Sequence, residues 1–340
     1  MQCSLFFLVL PHILYYDVGG IGMNNNRILS IVVLVLSLVI NFLRPSMVTD
    51  LPRVAHGVTL SGDNIAYLDE EALVTLLEGR AAQLAIAPVQ PLFDKVGGGV
   101  IPGLAGRELD IAGTVASCLG ALPGTERSYV FRAVMPEAPS LNLPIYRGNA
   151  RKRKVAFVIN VAWGNEELME ILEILDDFQL KKTFFLVGRW VSKYPELVRE
   201  IYRRGHELGN HAYSDLHLSR QAAGKVKEEI LNTTEAIRAA VGQVSVKYFS
   251  PPYNDFNQDV IEIAASLGYQ TVLCSLDTAD WMRQGVDKIV QRIVPRAHNG
   301  AIVLMHPAKD TPRALKVMIP ALQEMGFVLV TLGELLSPLP

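Results

Sequence analysis

From Val155 to the C-terminus, short apolar runs alternate with longer stretches in which apolar residues recur every three or four positions. The short runs are VAFVI (155–159), TFFLV (183–187), HELGN (206–210), VKYFS (246–250), TVLCS (271–275), AIVLM (301–305) and FVLVT (327–331). Most are apolar at consecutive positions, which predicts strands buried on both faces. Between them EELMEILEILDDF, SRQAAGKVKEEILNTTEAIRAAV, QDVIEIAASL and ALKVMIPALQEM keep a helical period. Strands alternating with amphipathic helices predict an α/β fold with a parallel sheet covered by helices. Seven repeats favour a distorted, closed or nearly closed (β/α) barrel of about seven strands over an open sheet. Functional groups in such barrels lie at the C-terminal strand ends.

The first half is patterned differently. VAHGVTLSGDNIAYL (54–68) alternates and turns like a hairpin, and DEEALVTLLEGRAAQL (69–84) sets Leu73, Leu76, Leu77, Ala81 and Leu84 on one helical face, with Asp69 as N-cap. In FDKVGGGVIPGLAGRELDIAGTVASCL (93–119), glycines punctuate a hairpin whose last strand feeds a short helix from about Ile111. Residues 50–135 therefore read as a small α+β module, 136–149 as a proline-bearing linker and 150–338 as the barrel domain. The run RKRK (151–154) is a solvated lead-in to the first barrel strand.

Ahead of both stands ILSIVVLVLSLVINFL (28–43), apolar on every face and preceded by a 27-residue extension that ends in Arg27. As a helix it would be about 24 Å long, slightly short for a bilayer span. It reads as an export segment: either an uncleaved signal anchor or a removed signal peptide. Met23 would make a conventional start for it. The expected location is membrane-anchored or exported, with the folded domains extracytoplasmic and the membrane engaged through residues 28–43.

Half of the 340 residues are hydrophobic and 19% are charged, enough for two domains with real cores. A formal charge of −2 offers no basic face for nucleic acid, so that partner is set aside. Cys3, Cys118 and Cys274 are too scattered for a disulfide framework or a paired metal spacing.

Reading only the ends of the predicted strands gives Asn160, then Asn210 with His211, Ser250 before Pro251, Asp277 to Trp281, and His306. Five strands thus deliver polar or ionisable groups to one face, which predicts a pocket there. His206 is expected to pack at the start of its strand, and Cys274 to fill apolar space.

The ordered motifs VAFVINVAWGN, NHAYSDLH, FSPPY, LDTADW and VLMHP resemble the polysaccharide deacetylases with a NodB-type domain, over about residues 150–338. INVAWGNE is similar to the sporulation-associated branch of that family. In the module upstream, VIPGLAGRELDIAGTV resembles the peptidoglycan-binding module that precedes some L,D-transpeptidases. The resemblance implies a hydrolase that removes N-acetyl groups from chitin-like or peptidoglycan chains, with N-acetylated cell-wall polysaccharide as its partner.

That chemistry needs a zinc-like divalent metal and a carboxylate base to make a nucleophile from water, and an imidazolium to protonate the leaving amine. The family's two first-strand aspartates align with Asn160, at the base position, and Val161. Asp215 occupies the place of the second metal histidine, and Ser250 that of an arginine. An amide accepts no proton at neutral pH, and an isopropyl group binds no metal. The other half of the motif set is present. By resemblance His306 is the general acid and Asp280 its orienting carboxylate, while Trp281 and Leu304 wall the acetyl pocket. Tyr253 supplies a backbone N–H for the oxyanion.

A rearranged metal site can be drawn from His211, Asp215 and either His217 or Glu166. Competing structural roles exist for the last two: Asn165 suits an N-cap, Glu166 and Glu167 suit a first helical turn, and His217 precedes Ser219, a plausible cap. Three functions follow: a working N-deacetylase, a non-catalytic glycan-binding relative, or a cell-envelope scaffold.

Overall fold

The computed structural model describes residues 51–339, and these form two compact units. The predicted export segment and the extension before it lie outside the described residues. Among the described residues, no helix is long and apolar enough to cross a membrane.

The first unit comprises residues 51–75 and 115–128. Thr59–Leu60 pairs antiparallel with Asp63–Asn64 and parallel with Glu126–Arg127, which makes a three-stranded sheet. Val58, Leu60, Ile65 and Cys118 are buried in this unit. The N-cap expectation at Asp69 holds, since its Oδ1 accepts from the Ala72 N–H at 3.0 Å.

The second unit holds everything from Leu76 to Thr114 and from Tyr129 onward. Its main sheet has eight parallel strands: β1 (Lys154–Val161), β2 (Thr183–Leu186), β3 (Glu207–Asn210), β4 (Tyr248–Phe249), β5 (Gln270–Thr271), β6 (Leu276–Asp277), β7 (Ala301–Met305) and β8 (Val328–Val330). Their order is β5-β4-β3-β2-β1-β7-β6, with β8 against the first half of β1. This is the curled parallel sheet of a distorted barrel. The expected single strand TVLCS is replaced by two short strands, β5 and β6, which are the two edges of the sheet. Residues 144–147 cover the opening between them. Ile145 bridges Val272, donating to the Thr271 carbonyl and accepting from the Leu273 N–H, and Arg147 bridges Ala301. An edge left bare would expose unpaired backbone groups.

Strand β1 explains the core. Val155, Phe157, Ile159 and Val161 face the helix layer with Leu168, Ile171, Leu172 and Leu175, whereas Ala156 and Val158 face inward with Phe185, Ile302 and Leu304. Both faces are dry, which is why the sequence is continuously apolar there. The helix that follows, Asn165–Asp177, starts differently from expectation: Gly164, at φ 79°, is the N-cap, and no side chain caps it. A Cβ at Gly164 would lie 2.0 Å from the Pro307 carbonyl oxygen, so the turn needs glycine for both conformation and space. Asn165 instead accepts a hydrogen bond from Trp190 Nε1 at 2.8 Å. Ser219 likewise caps no helix. It lies in a short 3₁₀ turn and is held by Asp255, while the next helix begins at Ala223.

His206 is buried at the start of β3 as expected, accepting from the Lys182 N–H on Nδ1 and packing edge-on to Phe184. Burial holds its imidazole down to about 4.

Candidate functional site

The C-terminal ends of the strands surround a cavity of about 410 Å³. Asn160, His211, Asp215, Tyr253, Trp281, Leu304 and His306 all line it, so most of the residues singled out in the sequence meet there. Trp163, Asn254 and Asp277 also line it.

Asn160 continues the inward face of β1, and its Oδ1 is buried with no hydrogen-bond partner. Val161, one residue on, points the other way. It is fully buried in the layer between sheet and helices and does not line the cavity.

His211 leaves β3 through a turn fixed by Asn210, whose amide donates to the Ile230 carbonyl and Thr234 Oγ1 and whose Oδ1 accepts from the Ala212 N–H. The Nδ1 of His211 sits 2.6 Å from the Ser250 carbonyl oxygen. A carbonyl only accepts, so Nδ1 carries the hydrogen and the lone pair is on Nε2. Burial lowers this imidazole to about 4, which keeps it neutral. The loop then passes through Tyr213 and Ser214, whose backbone N–H groups both donate to buried Glu229, at 2.9 and 2.6 Å.

Asp215 follows at φ 57°, and its Oδ2 accepts from the Tyr253 hydroxyl at 3.1 Å. Tyr253 itself has φ 58°. Burial, reinforced by the Asp215 carboxylate, pushes its phenol up. Ala212, Asn254, Ala279 and Arg283 also have positive φ. Left-handed backbone costs a non-glycine residue about 1 kcal/mol, and three such residues, Asp215, Tyr253 and Asn254, line this one cavity.

His306 closes the ring of groups. Asp280, at 1% exposure, accepts four hydrogen bonds: from the His306 backbone N–H (2.7 Å), His306 Nδ1 (2.9 Å), Thr311 Oγ1 (2.7 Å) and the Trp281 N–H (2.9 Å). The carboxylate fixes which imidazole nitrogen carries the proton and how the ring is oriented. Trp163 stacks parallel to His306, ring centroids 6.1 Å apart and planes 6° from coplanar. Trp163 thus joins the site although no motif role pointed to it. The available signal was a large aromatic residue placed between a strand end and a turn glycine.

Two of the expected metal donors lie elsewhere. His217 does not line the cavity; it stacks on Tyr253, centroids 4.5 Å apart, with Nδ1 3.7 Å from Asp255 Oδ1. Glu166 lines a neighbouring groove with Arg189 and Lys193. Among the described residues, no three His, Cys, Asp or Glu side chains converge to hold a metal. A zinc centre takes at least three protein ligands, so His211 and Asp215 alone do not fit one.

Known proteins resemble this chain in sequence and fold. Residues 147–272 match the family described as polysaccharide deacetylase. The chain is 36% identical over 261 residues to the uncharacterized protein YlxY of Bacillus subtilis, covering 76% of this chain and 81% of that protein. It is 35% identical over 173 residues to a peptidoglycan-N-acetylglucosamine deacetylase of Bacillus cereus, covering 49% of this chain and 80% of that enzyme. The crystal structure of a CE4 family pseudoenzyme from Bacillus anthracis superposes with a TM-score of 0.65 at 35% identity, covering 78% of this chain and 95% of that one. A mutant of that pseudoenzyme has restored enzymatic activity.

Proposed function

The chain belongs to the polysaccharide deacetylase family, and from that membership we propose that its cavity holds the acetamido group of an N-acetylated cell-wall glycan without hydrolysing it. The observation that carries this reading is Asn160. Where the resemblance calls for a base, Asn160 lines the cavity and its buried amide oxygen has no hydrogen-bond partner. An amide oxygen cannot take a proton from water at neutral pH, but it accepts a hydrogen bond from an acetamide N–H. A buried acceptor without a partner costs about 1–3 kcal/mol, which a bound ligand would relieve.

The remaining lining suits the rest of the group. Leu304 and Trp281 offer apolar surface for the acetyl methyl, and the acetamide oxygen falls to His306 and to the Tyr253 backbone N–H, the roles that the family resemblance assigns them. The exposed rings of Trp163 and Tyr253 are platforms for sugar faces. The apolar run at residues 28–43 supports a cell-envelope position, anchored or exported, and the INVAWGNE resemblance supports a sporulation-associated role.

A second reading rests on Asp215, which lines the same cavity as His211. There the protein is a slow deacetylase with Asp215 as base, and Asp215→Asn would abolish its turnover.

Binding is tested by titrating the full chain with tetra-N-acetylchitotetraose and following tryptophan fluorescence, since Trp163 and Trp281 are 44% and 56% exposed. Saturable quenching that Leu304→Arg removes is expected. No binding, or binding indifferent to Leu304→Arg, would contradict the proposal.

A further inference from the structure

Resting on the cell-envelope position proposed above, we infer that the hairpin of residues 92–101 is a second membrane contact, its tip entering the headgroup region of an anionic bilayer. Leu92–Asp94 pairs antiparallel with Gly99–Ile101, Leu92 opposite Ile101. The hairpin's polarity is reversed for a surface element. Its one carboxylate, Asp94, is 3% exposed, whereas Leu92, Phe93 and Val96 are 58%, 60% and 86% exposed. Exposed apolar residues are ordinary when scattered. Here three fall within five positions, and no other large hydrophobic side chain among the described residues is as exposed as Val96.

The buried carboxylate holds the tip in place. Asp94 takes Arg147 at two points, 3.0 and 2.7 Å, its Oδ1 accepts from the Val96 N–H at 3.1 Å, and its carbonyl accepts from the Gly98 N–H at 2.7 Å. The return strand is fastened by the Val100 N–H to the Pro144 carbonyl at 2.9 Å. A Cβ at Gly97 would lie 2.7 Å from the Tyr146 ring, so one side of the turn is closed against the chain and the apolar side chains are left to the other. A tip ordered beforehand loses little freedom on insertion. Lys95 is the one charged side chain that the hairpin exposes, and an ammonium group suits lipid phosphate. The preceding chain says what covers this tip. The apolar run ends at residue 43 and the described chain starts at Leu51, a stretch that spans at most about 30 Å. A bilayer that holds the run stays beside the folded chain, at an effective concentration that makes a weak apolar contact persist.

The test places the full chain in vesicles of phosphatidylethanolamine and phosphatidylglycerol with an environment-sensitive fluorophore on Val96→Cys, in a Cys3→Ser background whose own labelling is the blank. Ser46→Cys, beside the apolar run, and Val317→Cys, half-exposed on the helix Thr311–Glu324, are labelled in parallel. Nitroxide-bearing lipids are expected to quench the Val96→Cys label about twofold and to leave the Val317→Cys label unchanged. Phe93→Ser or Lys95→Glu, added to the labelled chain, should weaken that quenching. An unquenched Val96→Cys label beside a quenched Ser46→Cys label would overturn the inference and leave the envelope position standing; two unquenched labels would remove both. A blue-shifted Val96→Cys label that the lipid quencher does not reach would mean that protein, such as a second copy, covers the tip, and would overturn it as well.

Discussion

Asp280→Asn gives the sharpest test of how the site is held together. The wild-type carboxylate receives two donors on each oxygen: Trp281 N–H and His306 Nδ1 on Oδ1, and His306 N–H and Thr311 Oγ1 on Oδ2. An amide has one acceptor oxygen, so its NH₂ must face one pair. Turned one way it opposes the His306 backbone N–H; turned the other, the Trp281 backbone N–H. Thr311 and the imidazole can rotate or change tautomer, but a backbone N–H cannot. One buried donor is therefore stranded, at about 1–3 kcal/mol, and the surviving bonds lose their charge assistance, about 1 kcal/mol more. A loss near 3 kcal/mol is expected from urea unfolding, with Thr311→Val costing about 1 kcal/mol by the same measure. Imidazole NMR should also show His306 without its fixed Nδ1–H. A change below 1 kcal/mol together with an unaltered His306 spectrum would refute this account of Asp280 as the positioning residue.

Three further outcomes follow from other parts of the fold. His206 and His211 are both lowered by burial from 6.5 to about 4. Between those values the unfolded chain binds more protons, so stability is full above pH 6.5 and falls as pH drops toward 4, by about 3 kcal/mol for each; urea midpoints that stay flat from pH 7 to 4.5 would contradict this. Val161→Asp puts a carboxylate into the apolar helix layer and should cost at least about 3 kcal/mol, whereas a tolerated aspartate would mean that this strand end faces the cavity. Glu229→Ala strands the Tyr213 and Ser214 amides and should speed their hydrogen exchange sharply, while Glu229→Gln keeps an acceptor for both and should change it little; equal effects would show that Glu229 does not hold the Asp215 loop.

Much of this was legible in the sequence because the barrel strands are buried on both faces. AIVLM is β7 to the residue, and of the groups just beyond the strands Asn160, His211, Asp277, Trp281 and His306 line one cavity, whereas Asn210, Ser250 and Asp280 do not. What escaped depends on contacts between distant segments. TVLCS looked like one strand, but it spans the opening of the sheet and is broken into two edges, with Ile145 pairing between them. Asn165 has the chemistry of a cap, yet the close approach of Pro307 hands that place to Gly164. His217 is two residues past Asp215, whose positive φ turns the chain, and it meets Tyr253 and Asp255 instead of the cavity. The alignment of Asn160 and Val161 as a pair likewise hid that they point to opposite sides of β1.

The most direct measurement is acetate released by the unmodified full chain from a glycan that it demonstrably binds, followed at saturation with zinc supplied. The account predicts binding with no release above the protein-free rate. Steady release that is lost in His306→Ala or Asp215→Asn would contradict it and make the protein a working deacetylase.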